Sequence, residues 1–468
     1  MRTVDDAHGR LMTTLSWTAR HERTLYRLAI PAALLCAFGG MVLLWAAGLQ
    51  SFGRSALRAL GVEPGVIPFL DTHAVLAAAE CQRRGLDVYQ VNPCDVLGRV
   101  HVYSPLWLTL VPSMGAAATP SVGIALDVLF ILSLALVVRA HGRAPLAILA
   151  LAAFSPMTLY ALERANIDLV IFLLVLGAGV LQAAAARRWR LWSYAVLVGA
   201  ALLKYYPAVL LVLVARECRR DAVLVLGGAV AALALFVAGY RDVLGQALAN
   251  MSKLSTGLSF YTDSFSARNL PFGLARGLPQ LHGAAVLFAL ALLALLSFFA
   301  LARMWRTAVL LDTAGIDWTA SEMRFAAIGS LLVTGCFFAA QNVNYRGVFL
   351  LFVLPGLLQL RDKTASAAAR RLRSRLIAAV LFVMWDEFFR RGLLVVTGGR
   401  PGDRLPMLFW LLRELVWWWL IAGLAAIALC YVIRLPLLRD GAVWLGRVCP
   451  ACGRKLMPLF RVDPTGDR

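Results

Sequence analysis

Acidic side chains are scarce in this chain. Its 468 residues hold 26 Asp and Glu against 46 Lys and Arg, a formal charge of +20, and only 15% are charged at all. A soluble domain carries about 25% charged and 45–50% apolar residues, whereas here 60% are hydrophobic. A soluble core cannot absorb that much apolar surface, which excludes a water-soluble enzyme. Lysine is rarer still, confined to Lys204, Lys253, Lys363 and Lys455. Internal repeats are missing, and so is a clear small-residue cleavage site after the first apolar run. That run therefore reads as a signal anchor and not as a cleaved leader. A strongly basic chain invites a nucleic-acid partner, but such binders carry their basic residues as stripes on a soluble fold. Here they sit in short clusters between long apolar runs, so no nucleic acid is expected and the charge reads as a topological signal.

What is present in abundance is apolar sequence. A crossing needs about 20 mostly apolar residues, and runs of that kind lie near 29–49, 121–138, 145–162, 167–186, 222–239, 283–302, 323–340, 345–360, 376–396 and 407–432. Arginine clusters at 20–27, 139–143, 187–190, 303–306 and 370–375 are expected on the cytoplasmic side. The stretch 191–215 lies between two such clusters, so a single crossing would invert everything downstream. It is expected to go in and come back, turning at Lys204-Tyr205-Tyr206-Pro207 as a broken or re-entrant helix pair. The expected architecture is an all-α polytopic membrane protein of 10–12 transmembrane helices. Residues 1–28 form a cytoplasmic N-terminal segment, 29–434 the transmembrane domain and 435–468 a cytoplasmic tail.

Polar chemistry then gathers on the outer face. The loop 50–120 carries Asp71, Asp87, Tyr89 and Tyr103, a short loop holds Glu163-Arg164-Ala165-Asn166-Ile167-Asp168, and another holds Asn342-Val343-Asn344-Tyr345-Arg346. Inner loops hold few carboxylates, the reverse of what a cytosolic nucleotide sugar would need. Residues 71–84 read as an amphipathic helix able to lie in the interface plane, with Asp71 suited to its first turn as a cap or as a functional carboxylate. Cys81 and Cys94 are either a disulfide of an oxidising compartment or two unrelated thiols. Cys449-Pro450-Ala451-Cys452 lacks the second ligand pair a zinc site requires. Lys204 at membrane depth suits a phosphate oxygen, or else snorkels to the interface. Arg164 and Arg346 are candidates for the same phosphate. Asp386 and Glu387 are expected to pair with Arg390, Arg391 or Arg413, and Trp417-Trp418-Trp419 to pack against lipid.

In order along the chain, Asp71, Gly85–Tyr89, Tyr103–Pro105, Asn166–Leu169 and Lys204–Pro207 resemble the elements of glycosyltransferase family 87. These are the mannosyltransferase-like, polyprenyl-phosphate-dependent enzymes of the GT-C fold. The likeness spans roughly residues 30–360; the Cys81/Cys94 pair and the element 342–346 are not part of that pattern. It implies a GT-C-like bundle in the inner (plasma) membrane with an extracytoplasmic site, moving a hexose or pentose from a polyprenyl-phosphate donor to a lipid or glycan acceptor. The general base falls on Asp71, with Glu163 and Asp87 in reserve; Lys204, Arg164 and Arg346 take the donor phosphate. Tyr89, Tyr103, Asn166, Tyr205, Asn342, Asn344 and Tyr345 contact substrate, and the connection 240–282 receives the acceptor. No cofactor or metal is implied, because Lys and Arg can stabilise the departing phosphate. A transporter or flippase for lipid-linked saccharides, or an O-antigen-type polymerase or ligase, are the competing readings.

Overall fold

The computed structural model describes residues 2–111, 113–137, 142–253, 264–311, 316–362, 366–398 and 404–439, with side chains from residue 24 onward except 252, 253, 279 and 282. The helices run in the order α1 (Arg2–Ala46), α2 (Gln50–Ala59), α3 (Leu70–Arg83), α4 (Leu106–Leu110), α5 (Thr119–Val137), α6 (Arg143–Ala153), α7 (Pro156–Glu163), α8 (Asp168–Leu181) and α9 (Arg187–Leu203). There follow α10 (Arg219–Gly239), α11 (Arg241–Lys253), α12 (Asn269–Gly277), α13 (Ala285–Leu310), α14 (Ser321–Ala339), α15 (Leu350–Asp362), α16 (Ala367–Thr397) and α17 (Arg404–Val432). The strands β1 (Ser264–Phe265) and β2 (Asn342–Val343) pair antiparallel. The protein is an all-α, multi-pass membrane protein.

Among the described residues six helical segments are long and apolar enough to cross a membrane: Thr24–Ala46, Ala116–Val137, Arg219–Gly239, Ala285–Leu310, Ser321–Ala339 and Arg404–Val432. A seventh forms if α6 and α7, bent by 47°, act as one span. This is fewer than the 10–12 crossings expected, because several apolar runs make short helices inside the protein. At 1.5 Å per residue, the 14 residues of α8 reach only about 21 Å. Ile171, Phe172 and Val175 of α8 are buried in the protein, while Val180 near its far end is 48% exposed. The α6–α7 break follows from Ser155-Pro156. Proline cannot donate to the preceding turn, and the Ser155 hydroxyl caps the new helix by accepting from Thr158 N.

The stretch expected to turn back on itself is α9 followed by a 3-10 helix, Tyr206–Arg216. Its two feet are joined by Arg187 Nε to Asp221 Oδ2 at 2.6 Å and by Arg190 to Glu217 at 3.2 Å, so chain entry and exit lie side by side. Lys204 and Tyr205 form the tip. There the Leu203 carbonyl accepts from Trp107 Nε1 at 3.2 Å, which ties the hairpin to the first loop.

The core beneath is aromatic. Phe172 stacks on Phe352 at 4.2 Å and meets Phe130 edge-on at 5.0 Å. Close packing of α14 on a second 3-10 turn, Asn344–Phe349, and on α15 requires Gly329, where a Cβ would come 2.8 Å from the Phe349 carbonyl. Trp417 and Trp418 correct an expectation: they are buried, not lipid-facing, because Phe265 at the strand pair stacks on Trp417 at 4.4 Å. Glu387 does pair with Arg390 and Arg391, and Asp386 lies 4.0 Å from Arg413.

Candidate functional site

The site is built where α3 begins. Phe69 N donates to the Glu163 carbonyl at 2.8 Å and Asp71 N to the Arg164 carbonyl at 3.1 Å, while the Thr72 hydroxyl reaches the Ala165 carbonyl at 2.6 Å. Phe69 (φ 59°) and Ala165 (φ 38°), the non-glycine residues with left-handed backbone among the described residues, both lie in this docking seam. Strained backbone of this kind persists only where the surroundings over-determine it, and it clusters at functional sites. The seam fixes Asp71, which is 6% exposed. Its Oδ2 accepts from Asn166 Nδ2 at 2.5 Å, and Asn166 Oδ1 accepts from Asp168 N at 2.8 Å, starting α8. The other oxygen, Oδ1, accepts no hydrogen bond from the described residues; the cation beside it is Arg99, at 3.8 Å.

Asp168 organises the second half of the site. Its buried carboxylate accepts from Lys204 Nζ at 2.6 Å, from the Tyr206 hydroxyl at 2.6 Å and from Arg346 Nε at 3.2 Å. Arg346 also donates to Asn342 Oδ1 and lies 5.2 Å over the Tyr206 ring. Lys204 lies 5.6 Å from the Tyr103 ring centroid. Tyr103 faces Asp71, and burial together with that carboxylate pushes its phenol well above the ordinary range, keeping it a hydrogen-bond donor. Tyr345 is within electrostatic reach of Asp71, Tyr103 and Arg346, and Tyr205, 45% exposed, is within reach of Arg346 and Asp168. Asp71, Tyr103, Asn166, Lys204, Tyr205, Tyr345 and Arg346 therefore converge from five separate stretches of chain.

Other candidates have different work. Asp87 is exposed and folds its own turn, accepting from Tyr89 N at 3.0 Å and Gln90 Nε2 at 2.7 Å. Glu163 is tied to the loop before α3 by Gly65 N at 2.7 Å and sits 3.2 Å from Arg164 Nε. Arg164 itself lies over the Tyr160 ring at 5.0 Å and donates to its hydroxyl, rather than joining Lys204 and Arg346 on Asp168. Tyr89 is buried under α3, its hydroxyl bound to the Tyr103 carbonyl and its carbonyl to Asn250. Asn342 has its amide on the carbonyls of Phe265, Cys336 and Ala340, closing α14 onto the strand pair. Asn344 points into the bundle at Asp386, 3.2 Å away. Both amide nitrogens thus donate within the protein.

Cys81 and Cys94 are disulfide-bonded. Closing 13 residues, the bond contributes about 3 kcal/mol on the chain-entropy account. Replacing both cysteines by serine is expected to lower the unfolding temperature in detergent. Labelling both thiols only after reduction checks the pairing itself. The helix between the seam and this disulfide is not amphipathic in the expected sense, because Leu70 to Ala79 is buried on all faces except at Ala74. Within the connection 240–282, α11 packs beneath the first loop through Val243 and Ala247, and Ser264–Asn269 lies against Asn342 and Gln341. Tyr261, Asp263, Lys363, Cys449, Cys452 and Lys455 lie outside the described residues.

Two participants were missed in the sequence: Asp168 and Arg99. Asp168 had a signal, since two cations held at membrane depth require a counter-charge. Among the described residues no group of three or more His, Cys, Asp or Glu side chains is placed to hold a metal ion. Comparisons with protein-family models, characterised proteins and solved structures found no match.

Proposed function

We propose that this chain is an integral membrane glycosyltransferase of GT-C type. It moves a mannose-like hexose or a pentose from a polyprenyl-phosphate donor to a lipid or glycan acceptor at the extracytoplasmic face of the inner (plasma) membrane. The observation that carries the reading is Asp71: one carboxylate oxygen is oriented by Asn166 and the other accepts no hydrogen bond from the described residues. That is how a general base is held for an incoming hydroxyl. The acceptor proton passes to Asp71 as its oxygen bonds to the anomeric carbon. The bond from that carbon to the phosphate oxygen breaks with its electron pair leaving on the phosphate, and configuration inverts.

The charge arithmetic supports a donor with one phosphate. Lys204 and Arg346 supply two positive charges and Asp168 one negative, leaving +1. A sugar phosphodiester carries a single negative charge and matches it; a diphosphate would leave an uncompensated charge. Lys204 uses one of its three N–H donors on Asp168, so the others are free for phosphate without displacing the carboxylate.

Lys204→Met retains the Arg346–Asp168 pair and is expected to weaken donor binding by about 10–100-fold, the worth of one charge-assisted hydrogen bond. Titration of the purified variant with a polyprenyl-phosphate sugar measures this, and unchanged affinity would remove Lys204 from the phosphate site. Mass spectrometry of envelope glycolipids in a deletion strain then identifies the sugar and its acceptor.

A further inference from the structure

The segment 94–99 is fastened to α3 along its length. Cys94 is bonded to Cys81, Val96 N donates to His73 Nε2 at 3.2 Å, and Arg99 Nη2 donates to the Leu70 carbonyl at 3.0 Å. Asp95, 4% exposed, folds the segment from within, accepting from Leu97 N at 2.9 Å and from Arg99 Nε at 3.1 Å and Nη2 at 2.8 Å. The Arg99 fork thus arrives preformed at the first turn of α3, with Nη1 3.8 Å from Asp71 Oδ1.

The hydrogen bonds also fix the His73 tautomer. The Thr119 hydroxyl donates to the Ala116 carbonyl at 2.7 Å, so towards Nδ1 of His73, 3.1 Å away, its oxygen accepts. Nδ1 therefore carries the hydrogen, and Nε2 presents the lone pair that receives Val96 N–H. A doubly protonated ring would set one N–H against another.

We propose that residues 94–99 form a strap that positions the catalytic turn, with His73 and Arg99 as its positioning residues, and that the strap seats only while His73 is neutral. The proposal rests on reading Asp71 as the base.

The groups facing His73 are Asp95 from the strap and Glu80 from α3, which favour its protonation, and Arg99, which opposes it. Burial outweighs them and holds the ring below its ordinary value of 6.5. The sign follows. The clamp is complete above that value; below it, a released ring takes up a proton more readily than the seated one, and the strap loosens as pH falls. His101, 2% exposed in the same loop and pushed down to about 4 by burial, is a second acid-sensitive group. A variant at His73 alone is needed to separate them.

The test is amide hydrogen exchange on the full chain in nanodiscs at about pH 8 and about pH 5, corrected for intrinsic rates. In the native chain, protection of the Val96 and Asp71 amides is expected to fall by about tenfold at the lower pH, the equivalent of one lost hydrogen bond. In His73→Gln, whose side-chain oxygen accepts at any pH, protection should hold. Unchanged Val96 protection at low pH in the native chain overturns the strap, and loss at Val96 without loss at Asp71 overturns its positioning role. The pH profile of transfer adds a second reading: kcat should decline on the acid side in the native chain and less so in His73→Gln. Identical profiles despite strap release also overturn the positioning role. Absence of transfer in every variant would sink the glycosyltransferase reading, while the exchange data would still decide the strap.

Discussion

Asp71→Asn is expected to lower transfer from a polyprenyl-phosphate sugar by about 10²–10⁴-fold, the usual contribution of a positioned general base. The substitution is nearly isosteric, and its amide oxygen still accepts from Asn166, which now reaches the carboxylate at 2.5 Å. Asp71 N keeps its bond to the Arg164 carbonyl, so the seam between α3 and the 163–166 turn survives. Donor affinity should therefore stay close to the native value, since Lys204 and Arg346 are untouched. Single-turnover transfer and equilibrium donor binding, measured on the same preparation, separate the two effects. Loss of donor binding together with transfer would make Asp71 a structural carboxylate, and retained turnover would move the base elsewhere.

Asp168→Asn is expected to act on stability more than on any single step. Lys204 and Arg346 have side chains only 8% and 13% exposed, and Asp168 is the carboxylate both of them touch. Removing one partner of a buried ion pair leaves uncompensated charge and costs about 3–5 kcal/mol. Combining Asp168→Asn with Lys204→Met removes one of the two stranded cations, so the double variant should recover part of the loss. Thermal unfolding in detergent reads both. Equal melting of Asp168→Asn and the native protein would show that the triad is solvated and that the net charge assigned to it is not felt by a ligand.

The parts of this site legible in the sequence are those whose chemistry is unusual for its place. Lys204 was visible because arginine is the default cation of this chain. Asp71 was visible because a carboxylate opened a helix in the first outer loop. Asp168 was not, because an acid in the first turn of a helix is ordinary, and nothing local tells that two distant cations return to it. As residue types Asn342 and Asn344 suit sugar hydroxyls, yet their directions depend on the strand pair and the 3-10 turn that carry them. One closes a helix end and the other meets Asp386. Residues 71–84 read as an amphipathic helix because periodicity counts residue types. It does not count satisfied polar groups, and Asp71, Thr72 and His73 are all buried with partners. A run of tryptophans in an apolar span reads as lipid-facing for a similar reason: the Phe265 ring that covers Trp417 lies far away along the chain.

The most direct test is to reconstitute the purified protein in liposomes with a sugar carried on polyprenyl monophosphate and an envelope lipid extract, following both sugar and carrier. The expected result is a new glycolipid formed with one free polyprenyl phosphate released per sugar, and product formed by Asp71→Asn about 10²–10⁴-fold more slowly. Movement of the intact lipid-linked sugar between leaflets without release of carrier, or turnover only from a diphosphate carrier, would contradict it.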